Sequence, residues 1–452
     1  MIEYFRPRFI FPPFLTLILC GMWSLSPLIP PCWSAPVDRQ PDAPLPILRL
    51  SLRDAMSAAV DQNPTIQLFR ERMTQAQHIA DTQLGELLPN LSGRLSGARR
   101  RLFFGSFGRD PVVADPDRLY DARALLTQNL FSLSLIHKWR AALTGIDVAG
   151  LDTEVTRQNT MATVGLVYLE VLRTHATVDA RFADVTLNQQ LLRLTSQRHA
   201  AGMATLLDVN RAHVRFKNER QRWLVAKNDL IRSKLNLIRA IGLSFDVDLV
   251  LIDEMTINPL PEQTLQEALT IAHAHRMELR LQKQKERLAS ITLSSVTSER
   301  IPSLQASGDV GLIGNEISKM LTNDNVQVMM SVPIFDGGQR EGRISESRSR
   351  VRQEAITTRD VTYQISLEVR DAFLSLHSAQ EQVTEAEEGL ALSLNEVVLA
   401  RRRFTAGIAT NIEVTDAQAA VATARDNVIE ALFNFNVARI QLARAQGRLE
   451  DL

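Results

Sequence analysis

Cysteine is almost missing from this 452-residue sequence, and the two present, Cys20 and Cys32, both sit close to the amino terminus in a leader-like segment. The chain beyond that segment keeps at most one thiol and cannot close an internal disulfide. Excess charge is also lacking: Lys plus Arg and Asp plus Glu each total 51. No basic face is on offer to a nucleic acid, and neither sign of charge recommends a partner. Aromatic residues make up 6% of the chain. Proline is confined to a few clusters, and the remaining wealth of Ala, Leu, Arg, Gln and Glu is the composition of long helices. After the leader there is no run of roughly 18 apolar residues, so a role in a membrane would have to use strands. Catalytic signatures are missing as well. There is no His-Glu-x-x-His, Walker loop, dinucleotide glycine motif or Gly-x-Ser-x-Gly elbow, and an enzyme is not expected. His273 and His275 form a lone His-Ala-His whose side chains diverge on a helix, so no metal or other cofactor is expected either.

What is present begins with a secretory layout. Arg6 and Arg8 precede an apolar stretch over residues 9–28, and cleavage after Ser34 would remove residues 1–34. Lipid modification at Cys32 is the alternative, although Pro31 just ahead of it matches lipoprotein signals poorly. Residues 35–49 read as an extended segment.

The remainder is two copies of one unit. Gly202 pairs with Gly407, Asp208 with Glu413, Ala212 with Ala417 and Gly242 with Gly447, each 205 positions apart. Upstream, the segment from Leu50 matches that from Gln263, and Pro89 matches Pro302, both with an offset of 213. The copies therefore span residues 50–242 and 263–449, joined by a link over 243–262 that contains Pro259 and Pro261 and lacks helical periodicity. Each copy reads as a helix, a prolyl stop, two alternating segments around a polar loop, a very long helix, a glycine turn and a further helix.

The alternating segments have period two. Leu91, Gly93, Leu95 and Gly97 oppose Asn90, Ser92, Arg94 and Ser96. In turn, Tyr120, Ala122, Ala124, Leu126 and Leu130 oppose Asp121, Arg123, Thr127 and Asn129. In the second copy Leu304, Ala306, Gly308, Val310 and Leu312 oppose Ser303, Gln305, Ser307 and Asp309, and Val326, Val328, Met330, Val332 and Ile334 oppose Gln327 and Ser331. One apolar and one polar face is what a barrel wall between lipid and water requires. Four strands cannot close a pore and open edges are not tolerated in lipid, so this reading obliges several chains to share one wall. Helical spacing without proline then runs over residues 135–199 and 340–404. At roughly 1.5 Å per residue each such helix is about 90–100 Å long, too long for a globular domain. Leu187, Leu191 and Leu194, and likewise Val361, Ile365, Leu367 and Val369, mark an apolar seam, while Glu381, Glu385, Glu387 and Glu388 line a solvated face.

Each long helix ends in basic residues that complement its dipole, among them Arg198 and Arg403, and is stopped by Gly202 or Gly407. Each restart, Thr205 with Asp208 and Thr410 with Glu413, has the spacing of a capping box.

The paired Arg-(Phe)-x-x-Gly turns with a downstream acid, Val and Ala, together with the VPIFDGGQREGRI segment from Val332, resemble the TolC-type outer membrane efflux family over residues 50–449. The resemblance implies a mostly α fold with a membrane β-barrel portion: a homotrimer in which a twelve-stranded barrel continues into a periplasmic coiled-coil tunnel. It implies an outer-membrane exit duct for a tripartite efflux pump or type I secretion system. Its partners would be a periplasmic adaptor, an inner-membrane transporter of the RND, ABC or MFS type, and outer-membrane lipid. By position, the aperture's acidic rings fall on Glu413 and Asp416. The aspartate of the family's closed-state lock falls on Asp208, whose aligned partners are Ala409 and Phe404, so that lock is absent or rebuilt. The turns at Arg198, Gly202, Arg403 and Gly407 are candidates for adaptor contact. A periplasmic coiled-coil scaffold or tether without a pore is the alternative.

Overall fold

The computed structural model describes residues 46–101, 103–104, 112–113, 117–257 and 263–451. The leader, with Cys20, Cys32 and the position after Ser34, lies outside these residues, as do Gly105 and Gly108 of the first strand loop and Pro259 and Pro261 of the link.

Strand β1 (Ile47–Leu50) leads into α1 (Leu52–Gln62) and α2 (Pro64–Gly85). Next come β2 (Asn90–Arg100), the two-residue β3 (Phe103–Phe104) and β4 (Val112–Val113), and β5 (Asp117–Phe131). Helix α3 (Leu133–Ala200) and α4 (Leu206–Ile241) complete the first half. The second half repeats the order: β6 (Asp248–Leu251), α5 (Leu265–His275), α6 (Met277–Thr297), β7 (Ser303–Gly314), β8 (Leu321–Ser331), α7 (Gln339–Thr405) and α8 (Asn411–Gln446). The β3–β4 pairing lies in the connection between β2 and β5.

Where the sequence suggests one helix before each prolyl stop, the structure has two. In the first half Asn63 takes an extended conformation (φ −65°, ψ 125°), as a residue before proline must when Pro64 crowds it. In the second half Arg276 does the same with no proline after it (φ −62°, ψ 118°). Both breaks are held by the helix that returns from the tip. The Asn63 side chain donates to the Ala240 carbonyl at 2.7 Å, and Arg276 donates to the Arg444 carbonyl at 3.2 Å while pairing with Glu368 at 2.7 Å. Gly242 and Gly447 end those returning helices with positive φ and lie against the breaks. A β-carbon on Gly242 would stand 2.6 Å from the Gln62 carbonyl oxygen, and one on Gly447 3.0 Å from that of His275.

The link holds a second surprise. Its apolar stretch is β6, which pairs in parallel with β1. Tyr168, fully buried on α3, donates to Asp253 at 2.9 Å, and Asp253 accepts from the Leu52 amide at 2.7 Å. Burial and the adjoining Asp253 carboxylate push the Tyr168 hydroxyl pKa up. The strand pair, the start of α1, the middle of α3 and the end of α4 thus share one core around Leu50, Met56, Val164, Leu237, Ile241 and Leu249. The corresponding core of the second half gathers Leu269, Leu279, Ile365, Val369 and Phe435.

Helix α3 has 68 residues, which makes it about 100 Å long. Along it, α2 and α6 pack on the strand side and α4 and α8 on the far side. No helix among the described residues is long and apolar enough to cross a membrane.

The strands form one antiparallel sheet in the order β2-β5-β7-β8, with unpaired edges at β2 and β8. Its apolar face is bare: Leu95 is 86% and Val326 85% exposed, and Leu91, Val310, Val328 and Met330 are exposed beside them. On the other face Arg123 bridges Asp121 at 2.6 Å and Asp309 at 3.0 Å, over the space that Gly311 leaves, since a β-carbon there would come within 2.5 Å of Arg123. Val332 and Ile334 fall outside the sheet, because β8 stops at Ser331 and Pro333 has no N–H for a ladder. Leu367, placed in the α7 seam by its spacing, is instead 60% exposed, on a different side from Ile365 and Val369.

Candidate functional site at the helix turns

The end of the molecule farthest from the strands is built from two turns with the same backbone. In the first, Met203 N–H donates to the Arg198 carbonyl at 2.8 Å and Gly202 N–H to that of His199 at 2.9 Å. In the second, Ile408 N–H donates to the Arg403 carbonyl at 3.0 Å and Gly407 N–H to that of Phe404 at 3.1 Å. This is the Schellman arrangement, and it needs a left-handed residue at the glycine, whose φ is 74° in Gly202 and 77° in Gly407.

The side chains then diverge. Thr205 and Asp208 form the capping box, each side chain bonded to the other's backbone N–H; the Thr205 hydroxyl also donates to the Asp208 carboxylate at 2.7 Å, and this bond, with that from the Thr205 N–H, holds the carboxyl below its ordinary value. The matching pair does not form: Thr410 caps α8 without a side-chain hydrogen bond, and Glu413 lies 3.7 Å from Arg403. The arginines differ as well. Arg403 stays over its own turn, within reach of Glu413. Its counterpart Arg198 leaves, setting its guanidinium 4.3 Å from the centre of the Phe404 ring and donating to the Thr405 carbonyl at 3.3 Å. Asp208, for its part, caps its helix.

Arg198 thereby ties the first hairpin to the second. Beneath it Phe404 is buried with Leu191, Val397, Ala400, Val414, Ala417 and Val421, and Ala409 packs on the edge of this cluster. Arg401 adds a second tie by donating to Gln190 at 3.3 Å. Asp208 instead lines a cleft of about 470 Å³ between the starts of α4 and α8, with Leu207, Arg211, Arg215, Ile412 and Thr415. Glu413 and Asp416 do not line that cleft, so the structure does not bring the three acids together within one chain. Among the described residues the Asp416 side chain makes no hydrogen bond or ion pair.

Some two dozen ångströms along α3 from the turn, by helix rise, lies a charge cluster built around the buried Asp184. Asp184 accepts from Arg425 at 2.8 Å and lies 3.5 Å from Arg181, which pairs with Asp426 at 2.7 Å. Burial raises the Asp184 carboxyl above its ordinary range against the pull of Arg425 and Arg181. The cluster joins α3 to α8. Its one sequence signal is a pair of charges at seam positions, which spacing alone does not distinguish from solvated ones.

Long helices hung from a sheet with one bare apolar face, ending in twin glycine turns, define an outer-membrane channel fold. The outer membrane protein VceC from Vibrio cholerae superposes with a TM-score of 0.73 over 88% of this chain and 96% of that one, at 16% identity. The profile of the family described as "Outer membrane efflux protein" matches residues 55–243 and 268–448, and the chain belongs to that family. Relatives include the outer membrane protein TolC of Escherichia coli, 19% identical over 344 residues (72% of this chain, 69% of that one). The pyoverdine export outer membrane protein OpmQ of Pseudomonas aeruginosa is 24% identical over 402 residues (83% and 80%). This is a family of outer-membrane efflux channels, not of enzymes, and with that membership the poreless tether falls away.

Proposed function

We propose that three copies of this chain close a common barrel and a common tunnel, forming the outer-membrane exit duct of an efflux pump or type I secretion system. The observation that carries this reading is the sheet. Four strands present a bare apolar face and two open edges, and in lipid those edges have no partner except another chain. The edges are alike in length, β2 and β8 having 11 residues each, so β8 of one copy can pair with β2 of the next in a head-to-tail ring.

The helices support the same assembly. On α7, Ile356 and Tyr363, Leu367 and Leu374, and Leu392 and Leu399 are exposed pairs seven residues apart, as are Leu207 and Val214, and Leu224 and Ile231, on α4. Such stripes are coiled-coil seams awaiting a neighbour. In a trimer Glu413 and Asp416 would recur as rings of acid at the aperture, and Asp208 would face the cleft that widens when the hairpins part. Arg198 would replace the family's lock by holding the hairpins together. The turns at Gly202 and Gly407, with Arg198 and Arg403, would meet the periplasmic adaptor that couples the duct to an inner-membrane transporter.

Replacing Glu413 and Asp416 together by alanine is expected to leave trimers intact and to weaken block of bilayer conductance by trivalent cations, because rings of carboxylate concentrate such ions. Unchanged block would remove both residues from the aperture.

A further inference from the structure

We propose that Arg99, Arg118 and Arg101 bind the phosphate groups of anionic lipid in the outward-facing leaflet, clamping the barrel wall to its surrounding glycolipid. The proposal rests on the reading of the sheet as a membrane wall and adds to it a specific lipid site.

Strand register places these residues. On β2 the lipid-facing side chains are Leu91, Leu95 and the two glycines between and after them. On β5 they are Leu126, Ala124, Ala122 and Tyr120. The Tyr120 ring packs over Gly97, 3.4 Å from where a β-carbon on that glycine would stand. One step further along the same face, Arg99 stands directly opposite Arg118, and both are exposed. Arg101 follows two residues beyond Arg99, also exposed. Helix α2 enters this hairpin at Asn90 and α3 leaves it after Phe131, so the arginines lie at the end of the strands away from the helices.

The order apolar, tyrosine, arginine is that of hydrocarbon, interface and headgroup in an outer-membrane wall. Two arginines facing each other across an antiparallel pair repel and lower the stability of the hairpin unless an anion lies between them. Among the described residues no carboxylate is paired with any of the three. Phosphate suits this unbalanced charge, since guanidinium forks bind it bidentately, and neighbouring arginines can share one group. A headgroup is favoured over soluble phosphate because the Arg99 and Arg118 side chains lie on the lipid-facing side of the sheet.

The test is native mass spectrometry of the detergent-extracted protein after incubation with bis-phosphorylated lipid A, its dephosphorylated form, or inorganic phosphate. The unaltered protein should retain the phosphorylated lipid at least roughly tenfold better than the dephosphorylated one. Arg99→Gln with Arg118→Gln should abolish that preference, while Arg99→Lys with Arg118→Lys should keep part of it. Bilayer conductance of the unaltered protein and the Gln variant, measured in parallel, reports on the channel reading alone. A Gln variant that conducts and has lost its lipid preference supports the proposal. Equal retention by the Gln variant, absence of any preference in the unaltered protein, or uptake of inorganic phosphate that displaces the lipid would each overturn it. Failure of the unaltered protein to conduct would instead count against the membrane-wall reading.

Discussion

The two helix turns end their helices with the same pair of backbone hydrogen bonds, yet Arg198 crosses to the other hairpin while Arg403 remains on its own. The middle of the molecule shows the converse. There Asn63 and Arg276, one neutral and one charged, each donate to a carbonyl of the returning helix and hold equivalent breaks against equivalent glycines. A duplicated chain thus keeps its backbone where packing demands it, and departs from symmetry in side chains where the two halves must do different things. At the joints, different residues reach the same geometry. At the turns, the same residue reaches two geometries, and only one of them links the hairpins.

Glycine substitutions probe this contrast most severely. Gly242→Ala adds a left-handed strain of about 1–2 kcal/mol to a collision with the α1 carbonyl, for a total loss on the order of 3 kcal/mol in denaturant unfolding. Gly447→Ala, with slightly more room, should lose about 2 kcal/mol. Gly202→Ala and Gly407→Ala, where nothing lies within 4 Å, should show only the backbone term of about 1–2 kcal/mol. A joint variant as mild as a turn variant would mean that the close approach at the breaks is not maintained.

The arginines come next. Arg198→Ala is expected to remove about 1 kcal/mol of cation–π and hydrogen-bond attachment and to raise the resting conductance of the channel. Arg403→Ala, which loses only an exposed ion pair, should change stability by less than about 0.5 kcal/mol and leave resting conductance unaltered. Equal conductance for the two variants would dissolve the distinction between the turns.

The smallest effect is in pH. The Asp208 carboxyl is held below its ordinary value of 3.8 by Thr205, so its contribution is fully present above that value and fades as pH falls through the lowered folded value. In hydrogen exchange of the first turn of α4 below pH 4, Asp208→Asn should flatten the dependence.

Much of this architecture is legible in the sequence as plain periodicity. The constant offset between Gly202 and Gly407, the period-two faces around Leu95 and Val326, and the uninterrupted helical spacing after Leu135 lead directly to the twin turns, the sheet and the long helices. What escapes periodicity is set by contacts between distant segments. The break at Arg276 has no proline to announce it; the buried Arg276 side chain there pairs with the partly exposed Glu368. Strand β6 has four residues, too few for a period to emerge, and exists because β1 and Tyr168 receive it. The capping box at Thr410 is the natural reading of its spacing, but the structure sets Glu413 3.7 Å from Arg403 and leaves Thr410 without a side-chain bond. That Arg198 lies on Phe404 depends on the packing of one hairpin against the other, which neither repeat specifies alone.

The central claim is that one chain supplies a third of a closed wall. It is tested most directly by measuring, on the same purified sample, the native mass of the detergent-extracted protein and its single-channel conductance in planar bilayers. A mass of three chains with a steady, uniform conductance is the predicted result. A monomer without conductance would contradict the account.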